Sequence, residues 1–288
     1  MLPAMVAKPR IAIVGAGNFG TALAVSLRRA GYAIDSVIAR RRGASLKKAQ
    51  RLAKQVGAVA SVGVAGDARA DIIWFCVPDG EIARAAQAFA AKGKWKSKTV
   101  LHSSGALTSD ELAALRRRGA SVASVHPMMT FVKDSRPSLA GVPFAIEGDA
   151  AAVRVARRIV DDLAGNAYPI RKKNKAAYHA WGAFASPLFT ALLATGEQVA
   201  AIAGVPRQEA RRRIIPILLQ TLANYAAFGA PGAFSGPIVR GDVGTLRRHL
   251  RALSAAPPAR QVYSALAGAA LRYLPAKRRR RLASALQG

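Results

Sequence analysis

The chain has 288 residues, 51% of them hydrophobic, and a formal charge of +29. That length suits one large or two modest domains with a substantial core, and without any low-complexity block disorder is expected only at the two ends. The single cysteine, Cys76, excludes an internal disulfide and fits a reducing, cytoplasmic setting. No uninterrupted apolar run reaches the roughly 20 residues of a membrane helix; the stretch Ala183–Ala194 is broken by Ser186, Pro187 and Thr190. The first ten residues hold too short an apolar stretch for a signal peptide. Arginine pairs recur along the whole chain, and only "KRRRR", Lys277 to Arg281, is a dense run. Spread charge reads as solvated faces, whereas a nucleic-acid footprint should cluster on one element. An anionic substrate or cofactor would also suit such a surface.

Apolar runs alternate with helical patterns through the first half. Ile11–Val14, Ser36–Ala39, Asp71–Val77, Thr99–His102 and Ser121–His126 read as strands. Phe19–Ala30, Ser45–Val56, Glu81–Ala91 and Ser109–Arg118 read as the helices between them. This alternation predicts βαβ units and a parallel sheet. A strand over Pro143–Glu147, a helix over Asp149–Leu163 and a short strand "AYPI" follow. After Pro169 the strand signals stop. A long apolar helical pattern ends at Gly204, a second starts at Pro206 and ends at Gly229, and the loop "SGPIVRGD" precedes helices over Asp242–Leu253 and Pro258–Tyr273. The reading is an α/β domain over residues 1–170 and an all-helical domain over 171–288.

The stretch "RIAIVGAGNFGTALAVSLRRAG" sets Gly15, Gly17 and Gly20 between a strand and a helix. In that context the spacing fits a dinucleotide grip. Gly15 permits the turn, Gly17 lets the backbone approach a pyrophosphate, and Gly20 lets the helix pack on the strand. Asn18 and Phe19, between the glycines, open the helix whose free N–H groups would face the phosphates. The alternative is a glycine-rich turn without a ligand. An NAD site places an acid at the end of the second strand; here "VIARRRG" places Arg40, with Arg41 beside it. A guanidinium forks onto a 2′-phosphate, so NADP is expected over NAD, unless the segment is only an exposed basic loop. Val77 and Pro78 close the next strand in "CVPDGEI" and would flank the ribose–nicotinamide segment, with Asp79 capping the following helix.

Hydride transfer at a carbon–oxygen or carbon–nitrogen bond needs a proton donor or acceptor. His102 and His126 both end predicted strands, on the ligand-bearing edge of the sheet. Lys175 and His179, four apart on a predicted helix, share a face. His126, Lys175 and His179 are the candidate catalytic residues. Each could instead be structural: a packed strand-end histidine, or a solvated helix face. Ser103 and Ser104 are candidates for binding substrate or the nicotinamide amide, or are turn residues. Arg240 and Asp242 could clamp an anion, or Asp242 could cap the next helix and leave Arg240 exposed. His249 reads as structural. The scattered histidines and lone cysteine give no metal spacing, and there is no G-x-S-x-G elbow.

Taken together, "IVGAGNFGTALA", "VPDGEI", "HSSGALTSDEL", "HPMMTF", "FAIEGD", "KAAYHA" and "SGPIVRGD" resemble a bacterial family of NADP oxidoreductases of unassigned reaction. That family joins a Rossmann-like N-terminal domain to a helical C-terminal domain of unknown function. More remotely the layout is similar to pyrroline-5-carboxylate reductase, ketopantoate reductase, the 6-phosphogluconate and 3-hydroxyacid dehydrogenases and the deazaflavin-dependent NADP reductases. The resemblance implies NADP between the domains, a helical domain that often dimerises, and a catalytic lysine on the helix that carries Lys175. One departure is Pro187, where the family commonly shows Asn after "AS". The expected function is an NADP(H)-dependent oxidoreductase for a small, anionic substrate at the interdomain cleft. An NADP-binding sensor without turnover, and a basic nucleic-acid binder, are the competing readings.

Overall fold

Four consecutive apolar residues, Ile11–Val14, form β1 inside an eight-stranded sheet ordered β3-β2-β1-β4-β5-β6-β7-β8. The structure, a computed structural model, describes residues 8–63, 69–135 and 137–287. The other strands are β2 (Ile34–Ala39), β3 (Val59–Val62), β4 (Ile72–Phe75), β5 (Thr99–His102), β6 (Ser121–Pro127), β7 (Pro143–Gly148) and β8 (Asn166–Pro169). Neighbours pair in parallel except β6 and β7, which are antiparallel. The sheet is therefore not wholly parallel as the alternation predicts. Edge strand β3, with Val59 and Val62 exposed, was not legible either, because it buries too little to show a pattern.

Side chains alternate across the sheet, so each strand feeds two cores. Ile11, Ile13, Trp74 and Leu101 pack on one face against α1 (Asn18–Arg29), α2 (Ala44–Val56) and α5 (Ala150–Asp162), through Leu23, Leu52 and Ile159. Ala12, Val14, Ile73 and Phe75 pack on the other against α3 (Asp79–Ala90) and α4 (Ala113–Arg116), through Ile82, Phe89 and Leu115. Burial on both faces explains the continuous apolar runs. The helix expected over 109–118 is a 3₁₀ turn, Ser109–Leu112, capped by Thr108 and followed by the single turn α4. Strands β1, β4, β5 and β6 run the same way, so Val14, Phe75, His102 and Pro127 end on one edge.

The chain divides between Ala183 and Phe184 into two compact units. Helix α6 (Lys175–Ala185) begins in the first. The second holds α7 (Pro187–Ile202), α8 (Arg207–Ala233), α9 (Pro237–Arg240), α10 (Val243–Ala252), α11 (Pro257–Tyr273) and α12 (Arg279–Gln287). The apolar pattern before Gly204 is two helices, because Pro187 lacks an N–H and stands at the first turn of α7. Helix α8 continues beyond its expected end through a kink at Gly229 (φ 66°, ψ 178°). Segment Arg207–Arg240 is, among the described residues, the one stretch long and apolar enough to cross a membrane by length and composition. That kink, with Pro216 and Pro231, interrupts it. Leu246, Leu250, Leu282 and Ala285 form a small core between α10 and α12. The basic run 277–281 thus leads into an ordered helix that its charge density had hidden.

Candidate active site

The turn after β1 shows two kinds of glycine. Gly15 has φ +107°, and a Cβ there would stand 2.5 Å from the Cys76 carbonyl oxygen. A Cβ on Gly20 would collide with the Gly15 carbonyl oxygen. Both are demanded by the protein itself. Gly17 is not: its φ of −76° and ψ of −174° suit any residue, and a Cβ would meet nothing within 4 Å. It is also the N-cap of α1, with no side chain capping the first-turn amides. Asn18 Nδ2 donates to the Phe131 carbonyl at 3.1 Å, and the Phe19 and Phe131 rings meet edge-on at 5.0 Å. Those two side chains therefore tether the segment after β6 to α1.

Beside this turn, at the ends of β2 and β4, lies a cavity of about 420 Å³ walled by Val14, Ile38, Arg40, Arg41, Val77 and Glu81. Arg40 Nη1 stands 2.8 Å from Glu81 Oε1, and Arg84 binds the same oxygen. These guanidinium bonds, Arg40 first, hold the Glu81 carboxyl below its ordinary range. Pro78, not Asp79, is the N-cap of α3. The capping role expected of Asp79 is overturned: no side chain caps α3, and Asp79 Oδ2 accepts the Ser104 hydroxyl at 2.8 Å.

Ser104 is a hub of the segment after β5. Its hydroxyl donates to Asp79 and accepts from Leu107 N at 2.9 Å, while its N–H donates to His102 Nδ1 at 3.1 Å. Ser103 Oγ accepts the Trp74 indole N–H at 2.8 Å. Both hydroxyls expected to meet substrate are thus engaged within the protein. His102, 0% exposed, places its Nε2 3.0 Å from the Thr108 carbonyl; accepting at Nδ1 leaves the proton on Nε2, the neutral form. Burial lowers its pKa to about 4.

Lys175, at the start of α6, is 1% exposed. Its Nζ donates to the Ser104 carbonyl at 2.9 Å and to Ser124 Oγ at 2.6 Å. Burial lowers its pKa to about 8, opposed by the charges of Glu147 and Asp79. One turn on, the Tyr178 hydroxyl lies 2.9 Å from His126 Nδ1. His126 has its pKa lowered to about 4 by burial first, then by Lys175 and His179. The exposed His179 ring meets His126 edge-on at 6.0 Å. Between them a Cβ on Gly105 would stand 2.5 Å from His179 Cδ2 and 2.7 Å from His126 Nε2.

The structure thus gathers His126, His179 and Lys175 at the carboxyl edge of the sheet, but Lys175 is interior and does not share an exposed face with His179. Tyr178, Gly105 and Ser124 complete the cluster and were missed. Tyr178 had a readable signal: it lies three residues after Lys175, on the same helix face. Arg240 and Asp242 are in the second unit. Asp242 caps α10, accepting from Thr245 N at 2.9 Å and Thr245 Oγ1 at 2.7 Å, so the capping reading holds. Arg240 ends the short α9 rather than sitting in a loop. His249 Nδ1 lies 2.9 Å from the Tyr263 hydroxyl, a structural contact. Among the described residues no group of three His, Cys, Asp or Glu side chains is placed to hold a metal ion.

Comparison with known proteins agrees with this architecture. Residues 4–127 match the Rossmann-like domain, and residues 142–270 match the domain of unknown function DUF2520. No curated protein matches the chain in sequence. Among solved structures, a candidate NADP oxidoreductase from Bacteroides fragilis superposes with a TM-score of 0.76 at 21% identity, covering 91% of this chain and 97% of that one. A protein from Thermotoga maritima gives a TM-score of 0.70 at 20% identity over 96% of this chain and 100% of its own. A reductive aminase from Aspergillus terreus, in complex with NADPH and ethyl-5-oxohexanoate, gives 0.64 at 18% identity over 92% and 94%. At these identities the likeness is one of fold. The chain thus matches a Rossmann-like domain followed by a DUF2520 domain, the pairing its motifs had suggested.

Proposed function

We propose that the chain is an NADP(H)-dependent oxidoreductase that reduces or oxidises a carbon–oxygen or carbon–nitrogen bond in a small, anionic substrate. The observation that carries this reading is Gly17. Neither backbone strain nor packing asks for glycine there, whereas the close approach of a pyrophosphate does. The uncapped first turn of α1 supplies N–H donors for that group. Arg40 and Arg41 wall the neighbouring cavity and suit a 2′-phosphate, with Arg40 exchanging or sharing its contact to Glu81. When bound, the nicotinamide supplies or accepts the hydride. The reductive aminase among the structural neighbours supports a carbon–nitrogen substrate as one choice.

His179 is exposed and exchanges the proton with the substrate heteroatom. His126 stays neutral at pH 7 and pairs through Nδ1 with the Tyr178 hydroxyl; with that hydroxyl as donor, Nε2 carries the N–H that would orient the substrate. Lys175 acts as a positioning residue, tying the Ser104 segment to β6 and holding His126 uncharged. We assign a homodimer as the working form, because α8 leaves Ile215, Ile217, Leu219, Leu222 and Phe228 exposed in one helix.

The test is a fluorescence titration of NADPH into the wild-type protein and Gly17→Val. The variant should lose about 100-fold or more in affinity and no more than about 1 kcal/mol of stability, the cost of an apolar N-cap on α1. Equal NADPH affinity in the two proteins would reject the reading. Single-turnover oxidation of bound NADPH by a panel of keto acids and cyclic imines then separates an enzyme from a sensor that holds the cofactor without turnover.

A further inference from the structure

The second unit contains a concentration of positive charge that the proposed oxidoreductase site does not use. Arg240, Arg247, Arg278, Arg280 and Arg281 line one cavity of about 810 Å³, together with Gly241, Asp242 and Ser284. These residues come from three places: the end of α9, the first turns of α10 and the start of α12. The backbone holds the segments together. Lys277 N donates to the Val239 carbonyl at 3.1 Å, and a Cβ on Gly241 would stand 2.8 Å from the Lys277 carbonyl oxygen. Arg278 takes a left-handed backbone, φ 52°, which a non-glycine residue adopts at a cost.

Like charges held close repel, and a fold that assembles them normally supplies acids between them. Here the ion pairs of the unit lie elsewhere, at Arg211–Glu197, Arg212–Glu209 and Arg213–Glu209. Among the described residues no carboxylate forms a salt bridge with any of the five arginines. The only acid in the cavity wall is Asp242; both its oxygens accept hydrogen bonds from Thr245, and its charge is felt by Arg248 and Arg240 without a salt bridge to either.

We propose that this cavity binds a small, multiply charged phosphate anion of the pyrophosphate class. Guanidinium groups pair with phosphate oxygens in forked, two-point contacts, and the site offers them almost without competition. Convergence on a cavity of small-molecule size favours a compact anion over a nucleic acid, whose phosphates would need cations strung along an element.

Calorimetry with inorganic pyrophosphate on the full chain at low salt tests this. Arg247→Gln combined with Arg281→Gln should weaken binding about tenfold or more. Arg154→Gln combined with Arg157→Gln removes the same charge from the exposed face of α5 and should change it less than about twofold. Should the first pair fail to fold, Arg240→Gln with Arg280→Gln gives the same comparison. Equal losses in the cavity and α5 variants would mean a diffuse field and overturn the proposal. So would a loss confined to Arg40→Gln with Arg41→Gln, which would place the anion in the nucleotide cavity, or absence of heat in the wild type. A single-stranded oligonucleotide that displaces pyrophosphate with a salt slope of many phosphates would also overturn it.

Discussion

Gly17 and Gly20 lie three positions apart and would answer substitution oppositely. Gly20→Ala drives a methyl into the Gly15 carbonyl and should cost about 2 kcal/mol of stability, read from chemical denaturation. Gly17 has room for a side chain and should lose chiefly ligand. At the rim of the nucleotide cavity, Arg40→Asp places a carboxylate against a 2′-phosphate and beside Glu81. The ratio of NADP to NAD affinity should fall at least about tenfold; an unchanged ratio in paired titrations would remove Arg40 from its assigned role. His102 sets a pH limit. Its folded pKa of about 4 lies below the ordinary value of 6.5, so the unfolded chain binds the proton more tightly. The His102 contribution is complete above about pH 6.5 and is lost by about 3 kcal/mol as pH falls to 4, with His126 adding a decline of the same sign. Denaturant midpoints across that window should show the slope, and His102→Gln should reduce it by about half, since burial also lowers the His126 pKa to about 4. The sequence indicated the glycines, Arg40 and His126 because each follows from its place at a strand end. It could not show that Ser103, Ser104 and Asp79 satisfy one another's segments, since those partners are 25 or more residues apart.

At the level of elements, the continuous apolar strands and periodic helices were readable because burial on one or two faces writes itself as a period. β1 and β5 have the predicted limits, and α11 differs by one residue. Failures fall where a neighbour decides the conformation. β7 pairs antiparallel to β6 although its own residues look like any buried strand. The turns α4 and α9 are too short to show a period. Asp242 illustrates a cap legible as one of two options and settled by Thr245. Asp242→Ala should destabilise the protein by about 1 kcal/mol by freeing that amide, while Arg240→Ala should leave the melting temperature unchanged. If the two variants melt alike, the cap is not the dominant role of Asp242.

For the molecule as a whole, a charge of +29 and an exposed apolar helix pull in different directions. Charge keeps copies apart in dilute salt, while the α8 side chains favour association. Dimer formation should therefore strengthen with added salt, the reverse of nucleic-acid binding. Sedimentation at two salt concentrations checks the sign. Ile217→Glu with Leu222→Glu should yield monomers at every concentration tried.

The bare backbone at Gly105 has a practical consequence. A single methyl there would land between the two imidazoles like a wedge in a door, far in the chain from the phosphate grip. If the two imidazoles serve the proposed reaction, Gly105→Ala should give a protein that still takes up NADPH but turns nothing over, the inert twin against which any turnover by the native chain can be judged.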